Sequence, residues 1–204
     1  MAEGRKSMET ALAIIGGGPA GLSCAYYLAL TGYRPTVFEK NEKPGGMLTY
    51  GIPSYKLEKD VVEAEIDIIR ALGVEIKCGV EVGKDITLDE LRKDVYEAFY
   101  IAIGCQGSRK SGVDGEDTDG VMSAVDILHE IAENHDLNLK GNKTVVIGGG
   151  NVAVDVARST KRCGADVLGK FCLESSEEMP ASEEEIFETE DEGIQINNGW
   201  GVKE

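Results

Sequence analysis

Positive charge and histidine are scarce in this 204-residue sequence, and its cysteines do not fall into pairs. Lys and Arg number 21 against 37 Asp and Glu, for a formal net charge of −16. A field of that sign repels phosphate backbones and anionic lipid headgroups, so neither nucleic acid nor a membrane surface is expected as a partner. The two histidines, His129 and His135, lack metal-ligand spacing and read as surface residues. The five cysteines, Cys24, Cys78, Cys105, Cys163 and Cys172, are scattered, with no Cys-x-x-Cys pair. That excludes a thioredoxin-reductase-type dithiol and a locally ligated zinc or iron–sulfur centre within the chain. No apolar run approaches the roughly 18 residues of a membrane span. Residues 1–10 are polar and lack the apolar core of a secretory signal, which with the scattered thiols points to a reducing, cytoplasmic setting.

Glycine, by contrast, is abundant, with 26 residues, and hydrophobic residues make up 42% of the chain, as in a packed globular protein. The glycines concentrate at telling places. An apolar strand over residues 11–15 runs into Gly16-Gly17-Gly18-Pro19-Ala20-Gly21. A helix over 22–30 follows, stopped by Gly32, and a second strand over 35–38 closes on Glu39. The same series returns as a strand over 144–147, Gly148-Gly149-Gly150, a helix over 152–163 and Gly164. Gly16 to Gly148 and Gly32 to Gly164 are both separated by 132 residues, too long a period for a solenoid repeat of about 20–50 residues.

Two βαβ units in tandem predict an α/β protein with two Rossmann-like dinucleotide-binding domains. The expected division is a first domain over 1–110, a Gly/Ser/Asp-rich linker over 111–121 and a second domain over 122–204. Between the repeats, Val61, Val62, Ile66 and Ile69 predict a helix within 56–72. A strand region over 74–82, a helix beginning at 88–91, a buried strand over 98–103 ending at Gly104, and a helix over 123–134 complete the reading.

Each glycine of the first loop has a physical task. In Gly16-x-Gly18-x-x-Gly21 the first permits a tight turn, the second lets backbone approach a pyrophosphate, and the third packs helix on strand. Glu39, eighteen residues past Gly21, stands where a ribose hydroxyl would donate, with Lys40 beside it. The second loop reads Gly148-x-Gly150-x-x-Ala153, and its acid, Glu174, follows Ala153 by twenty-one residues. Gly169-Lys170 interrupts the intervening strand, as a bulge or a longer turn would. Glu174 with no arginine near it favours a free 2′-hydroxyl and hence NADH over NADPH.

Three stretches together carry a family likeness: residues 14–22, residues 148–158, and Glu42-Lys43-Pro44-Gly45-Gly46-Met47-Leu48-Thr49-Tyr50-Gly51-Ile52-Pro53. They resemble the small subunit of glutamate synthase, a module also similar to parts of dihydropyrimidine dehydrogenase and NADH-dependent ferredoxin:NADP oxidoreductases. The resemblance implies FAD and a nicotinamide nucleotide as cofactors, with an iron–sulfur domain or subunit, such as the glutamate synthase large subunit, as electron acceptor. It assigns Gly16, Gly18, Pro19, Ala20 and Gly21 to the FAD pyrophosphate and Glu39 to the ribose. Gly46 and Met47 would lie along the cofactor, Lys56 would contact it, and Val82 would meet the adenine through its backbone. Gly104 would pass the flavin, and Gly148, Gly150, Asn151, Val152 and Ala153 would cradle the nicotinamide nucleotide. Two features depart from the family: the chain stops within the second domain, and cluster-binding cysteines before the first fingerprint are missing. The expectation is therefore a truncated module.

The bland readings are specific. Met47 fills a gap, Lys56 begins a helix at the surface, and Cys105 is a buried thiol. Ser182 and Glu185 form a capping box opening an exposed helix, and the acidic stretch from Glu174 to Glu192 is a solvated face. No side-chain acid, base or nucleophile is nominated, because hydride passage from NAD(P)H to FAD draws its reactivity from the cofactors. The alternatives are ferredoxin-linked or pyrimidine-linked electron transfer, and a non-catalytic dinucleotide-binding module.

Overall fold

The computed structural model describes residues 11–108, 110–134 and 137–203; His135 lies outside them. The chain divides into two units, Met1–Cys105 and Gln106–Glu204, and residues 102–123 carry no helix or strand among those described.

In the first unit, β1 (Ala11–Ile15) is flanked by β2 (Arg34–Glu39) and β4 (Tyr96–Ile101), and β3 (Glu75–Cys78) borders β2. All pairings are parallel, in the order β3-β2-β1-β4. Helix α1 (Pro19–Leu30) begins three residues before the expected position 22. Proline at its first turn lacks an N–H that would have had no helical partner anyway. Its end is set by Gly32 at φ +99°, where a side chain would be strained. Ala25 packs with Ile14, Val37 and Val74 on one face of the sheet. A short helix α2 (Met47–Tyr50) precedes α3 (Lys59–Ala71), which buries Val62 and Ile66 and leaves Val61 largely exposed. Residues 56–58 are not helical as expected, because the Lys56 and Leu57 N–H groups turn back to the Pro53 carbonyl. Helix α4 (Leu88–Asp94) opens on a reciprocal capping box between Thr87 and Glu90.

The expected buried strand over 98–103 needs correction. Strand β4 starts at Tyr96, ends at Ile101, and leaves Tyr100 45% and Ile101 55% exposed. It is the edge of the described sheet, with β1 as its partner on one side only. The strand expected over 74–82 shortens to β3, and Val82 makes an isolated bridge to Ile86.

The second unit begins with α5 (Ala124–Glu133), capped by the Ser123 hydroxyl accepting from the Asp126 N–H at 3.1 Å. Strands β5 (Lys143–Ile147), β6 (Asp166–Cys172) and β7 (Ile196–Asn198) form a parallel sheet in chain order. Helix α6 (Asn151–Arg162) covers one face, where Ile127, Leu128, Val146, Val156, Ala157 and Ile194 form the core. The bulge foreseen at Gly169-Lys170 lies one residue earlier: Thr144 pairs with Val167 and Val145 with Gly169, so Leu168 is the extra residue. Lys170 itself is wholly buried.

The acidic stretch is solvated as expected at Glu177, Glu178, Glu183, Glu184, Glu190 and Asp191, but not throughout. In α7 (Glu183–Asp191) and its C-cap Glu192, three carboxylates converge on Arg158 of α6, itself only 5% exposed. Glu188 bonds the guanidinium, Glu192 accepts from its Nε at 2.7 Å, and Glu185 stands 3.6 Å away. The Ser182 hydroxyl does cap the Glu185 N–H, but Glu185 lends its carboxylate to the Arg158 cluster. Attraction to a desolvated cation outweighs exposure for those three side chains.

Candidate functional site

Both glycine loops stand at the carboxyl ends of their strands. In the first, the Gly16 N–H donates to the Phe38 carbonyl at 2.8 Å, and Gly16 takes φ +108°. A Cβ on Gly16 would overlap the Ala102 carbonyl, and one on Gly21 would overlap the Gly16 carbonyl. Those two positions therefore exclude any side chain by contact with backbone. Gly18 differs: it is the extended N-cap of α1, and the only atom near an added Cβ is the Gly46 Cα at 3.8 Å. The first N–H groups of α1 thus open onto space that a side chain at Gly18 would occupy.

The Pro44-Gly45-Gly46 stretch docks on this loop. The Gly45 N–H donates to the Gly17 carbonyl at 2.7 Å, and a Cβ on Gly46, at φ +56°, would come 2.9 Å from the Gly18 Cα. Gly45 had not been assigned a role from sequence; its signal was the glycine pair itself. Met47 begins α2, is 37% exposed, and folds its thioether over Gly51. Lys59 was also missed. Its ammonium donates to the Leu48 carbonyl at 2.8 Å and to the Ile52 carbonyl, tying α2 to α3, and burial pushes its pKa down.

Glu39 is buried, and its two oxygens accept from the Gly17 N–H at 2.7 Å and the Asn41 N–H at 2.9 Å. It braces the loop from the next strand, and Lys40 beside it is exposed. The Val80 N–H donates to the Glu39 carbonyl, which brings the 80–82 segment to the same edge, where half-buried Val82 packs near Ile15 and Phe38. Gly104, at φ +73°, follows β4 just after the Ala102 N–H donates to the Ile15 carbonyl at 2.7 Å. Lys56 occupies the turn before α3, half-buried. Cys105 is exposed rather than buried as expected, since it follows the edge strand into open chain.

The second loop repeats the first with changed detail. The Gly148 N–H, at φ +142°, donates to the Phe171 carbonyl at 2.8 Å, as Gly16 does to Phe38. Ala153 occupies the third slot, its methyl 3.0 Å from where a Cβ on Gly148 would lie. Gly150 caps α6 with nothing within 4 Å of an added Cβ. Val152 is half exposed, while the Asn151 side-chain oxygen accepts from the Ser182 N–H at 3.0 Å and so holds the start of α7. Half-buried Glu174 brings its Oε2 to 2.5 Å from a Cβ placed on Gly149, and Glu39 lies 3.0 Å from one on Gly17.

Register explains the longer spacing to that acid. Ile15 pairs with Phe38 and Ile147 with Phe171, so the residue in step with Glu39 is Cys172. One added residue is the bulge at Leu168, and two more carry Glu174 beyond the strand end. Among the described residues, no group of three His, Cys, Asp or Glu is placed to hold a metal ion, and no helix is long and apolar enough to cross a membrane.

A family model described as pyridine nucleotide-disulphide oxidoreductase matches residues 10–204. The chain belongs to this family. Its members are FAD- and NAD(P)-binding oxidoreductases, which agrees with two glycine loops of this geometry. The chain is 45% identical over 185 residues to the NADP(+)-dependent formate dehydrogenase subunit beta of Moorella thermoacetica, covering 90% of this chain and 26% of that relative. It is 36% identical over 203 residues to the glutamate synthase [NADPH] small chain of Escherichia coli, covering 95% and 43%. The chain therefore spans less than half the length of these two family members. Among solved structures, Mycobacterium tuberculosis FprA in complex with NADPH shares the fold, with a TM-score of 0.74 at 22% identity over 90% of this chain and 48% of that one.

Proposed function

We propose that this chain is the flavin- and nicotinamide-binding part of an electron-transfer enzyme of the glutamate synthase small-chain type. In this reading the first unit binds FAD through Gly16, Gly18, Pro19, Ala20 and Gly21, with Glu39, Lys40, Gly46, Met47, Lys56, Val82 and Gly104 around the cofactor. The second binds NADH or NADPH through Gly148, Gly150, Asn151, Val152, Ala153 and Glu174. The observation that carries this reading is the open space at Gly18 and Gly150, each capping a helix whose first N–H groups have no side-chain cap. A helix N-terminus kept clear of Cβ atoms suits a pyrophosphate.

Bound FAD would supply the two-electron to one-electron conversion that links a hydride donor to iron–sulfur clusters. The residues of this chain bind and orient. Glu39 fixes the first loop and offers its remaining lone pairs to a ribose, and Gly46 keeps the second wall of the loop free of side chains. The electron acceptor is an iron–sulfur domain or subunit. Two relatives are named as a subunit beta and a small chain, parts of larger enzymes with different substrates, which supports a module serving several acceptors.

The test is flavin content followed by anaerobic reduction. The purified chain, reconstituted with FAD, should retain flavin and bleach on addition of NADH or NADPH. Gly18→Val should lose flavin while keeping its circular dichroism. A wild-type chain that retains no flavin after reconstitution, or a Gly18→Val chain with full flavin content, would refute the first site.

A further inference from the structure

Both glycine loops meet a carboxylate, but they meet it differently. Glu39 is in strand register and is held by two backbone N–H groups. Glu174 lies past the end of β6, and its carboxylate lies over Gly149 of the loop. Its backbone is anchored there: the Glu174 carbonyl accepts from the Gly199 N–H at 3.1 Å and from the Asn198 side chain at 3.3 Å. From Phe171 to Glu192 the sequence contains no Lys or Arg.

The cations of α6 are committed to α7. Arg158 is enclosed by Glu185, Glu188 and Glu192, Arg162 pairs with Glu192 at 2.8 Å, and Lys161 donates to the carbonyls of Glu192 and Gly193. Lys161 and Arg162 serve the C-terminal end of α7, and Arg158 spans from Glu185 in its first turn to Glu192 at its C-cap. Lys170 is wholly buried with its ammonium 4.0 Å from the Met179 sulfur; it is enclosed rather than open to a ligand, and Glu174 partly offsets its charge. Lys140 and Lys143 stand before or at the start of β5, at the opposite end of the strand from the loop.

We infer that the second loop selects the nicotinamide nucleotide without a 2′-phosphate, NADH over NADPH, with Glu174 as the discriminating side chain. This rests on the nucleotide-binding reading of that loop. A carboxylate beside the phosphate-binding loop at the end of the second strand accepts from the ribose 2′-hydroxyl. A 2′-phosphate in its place brings nearly two negative charges against Glu174, within a run from Phe171 to Glu192 that offers no Lys or Arg. The two curated relatives carry NADP(+) or NADPH in their names, so this chain departs from them in the nucleotide it takes.

The probes are NADH and NADPH themselves, titrated by nucleotide fluorescence against the whole chain, so that binding is read without flavin turnover. NADH should bind at least about tenfold more tightly, an ordinary difference for one repelled phosphate. Glu174→Gln should narrow the ratio to within about threefold, and Glu174→Arg should favour NADPH. Circular dichroism identifies any variant that fails to fold, and the wild-type ratio stands independently of both variants. NADPH binding as tightly as NADH or more so would overturn the inference while leaving the nucleotide site in place. No binding of either nucleotide would overturn the site itself.

Discussion

The two loops begin alike and end differently. Up to the helix stop they run in step at constant offset, each with an extended glycine cap and a first glycine that donates to a Phe carbonyl on the next strand. Beyond that, the first strand pair continues in register to Glu39, while the second takes up a bulge and delivers Cys172 where Glu39 would be. In the proposed reading, the part that would receive a pyrophosphate is common to every dinucleotide and is built from backbone, so it tolerates little change. The part that would meet the ribose is a single side chain at a strand end, and one inserted residue re-aims it.

The largest expected effect breaks the equivalence of the third loop position. Gly21→Ala should cost about 3 kcal/mol and abolish flavin retention, since the methyl overlaps the Gly16 carbonyl and backbone must move. Thermal unfolding with and without FAD measures both. A smaller loss, of about 2 kcal/mol, should follow Arg158→Met in the second unit, read by urea denaturation. The value falls below that of a fully buried pair because the glutamates it releases remain partly hydrated. In the first unit, α1 packs Ala25 against Ile14, Val37 and Val74, with no such ion cluster on that face among the described residues.

Strand register also sets Lys170 against Val37, as partners of Val146 and Ile14 respectively. Both are fully buried, so the second unit keeps an amine where the first keeps a methyl-bearing side chain. Burial pushes the Lys170 pKa down, against smaller upward effects from Cys172 and Glu174. Unfolding then restores an ordinary lysine, with a pKa of about 10.4. The unfolded chain binds more protons between the depressed value and that ordinary one, so wild-type stability rises with pH across this alkaline window. Below the depressed value the cost is fully present. Lys170→Met should stabilise the chain by about 1.5 kcal/mol at neutral pH and flatten that dependence, as pH-resolved melting would measure. The smallest effect is Ala153→Gly, about 1 kcal/mol from helix propensity alone, with nucleotide binding retained. A collapse of binding there would show that the second loop needs its methyl.

The loops, α1 and α6 were legible because their signals are local: glycine where backbone turns, proline where an N–H is unneeded, serine at a cap. The burial of β4 was not legible, since an apolar run looks the same in the middle of a sheet and at its edge. Arg158 was hidden for a related reason. Glu185, Glu188 and Glu192 have the spacing of one helix face, but that spacing cannot say whether water or a cation from α6 faces it. The glycine pair at 45–46 was visible as a pair and through family likeness, but its reason, contact with Gly17 and Gly18, is tertiary. Glu174 was found by counting residues, and its distance from the loop required the bulge.

The contact between Gly18 and Gly46 also constrains how this chain can vary. A side chain at Gly46 meets the Gly18 Cα at once, and one at Gly18 fills the space in front of the helix. Neither position can drift while the other compensates, because what they share is empty volume rather than a bond that another pair of side chains could replace. The two behave as one locus of inheritance split between two segments of the chain, and a variant library randomised at both should return the glycine pair alone from a selection for flavin retention.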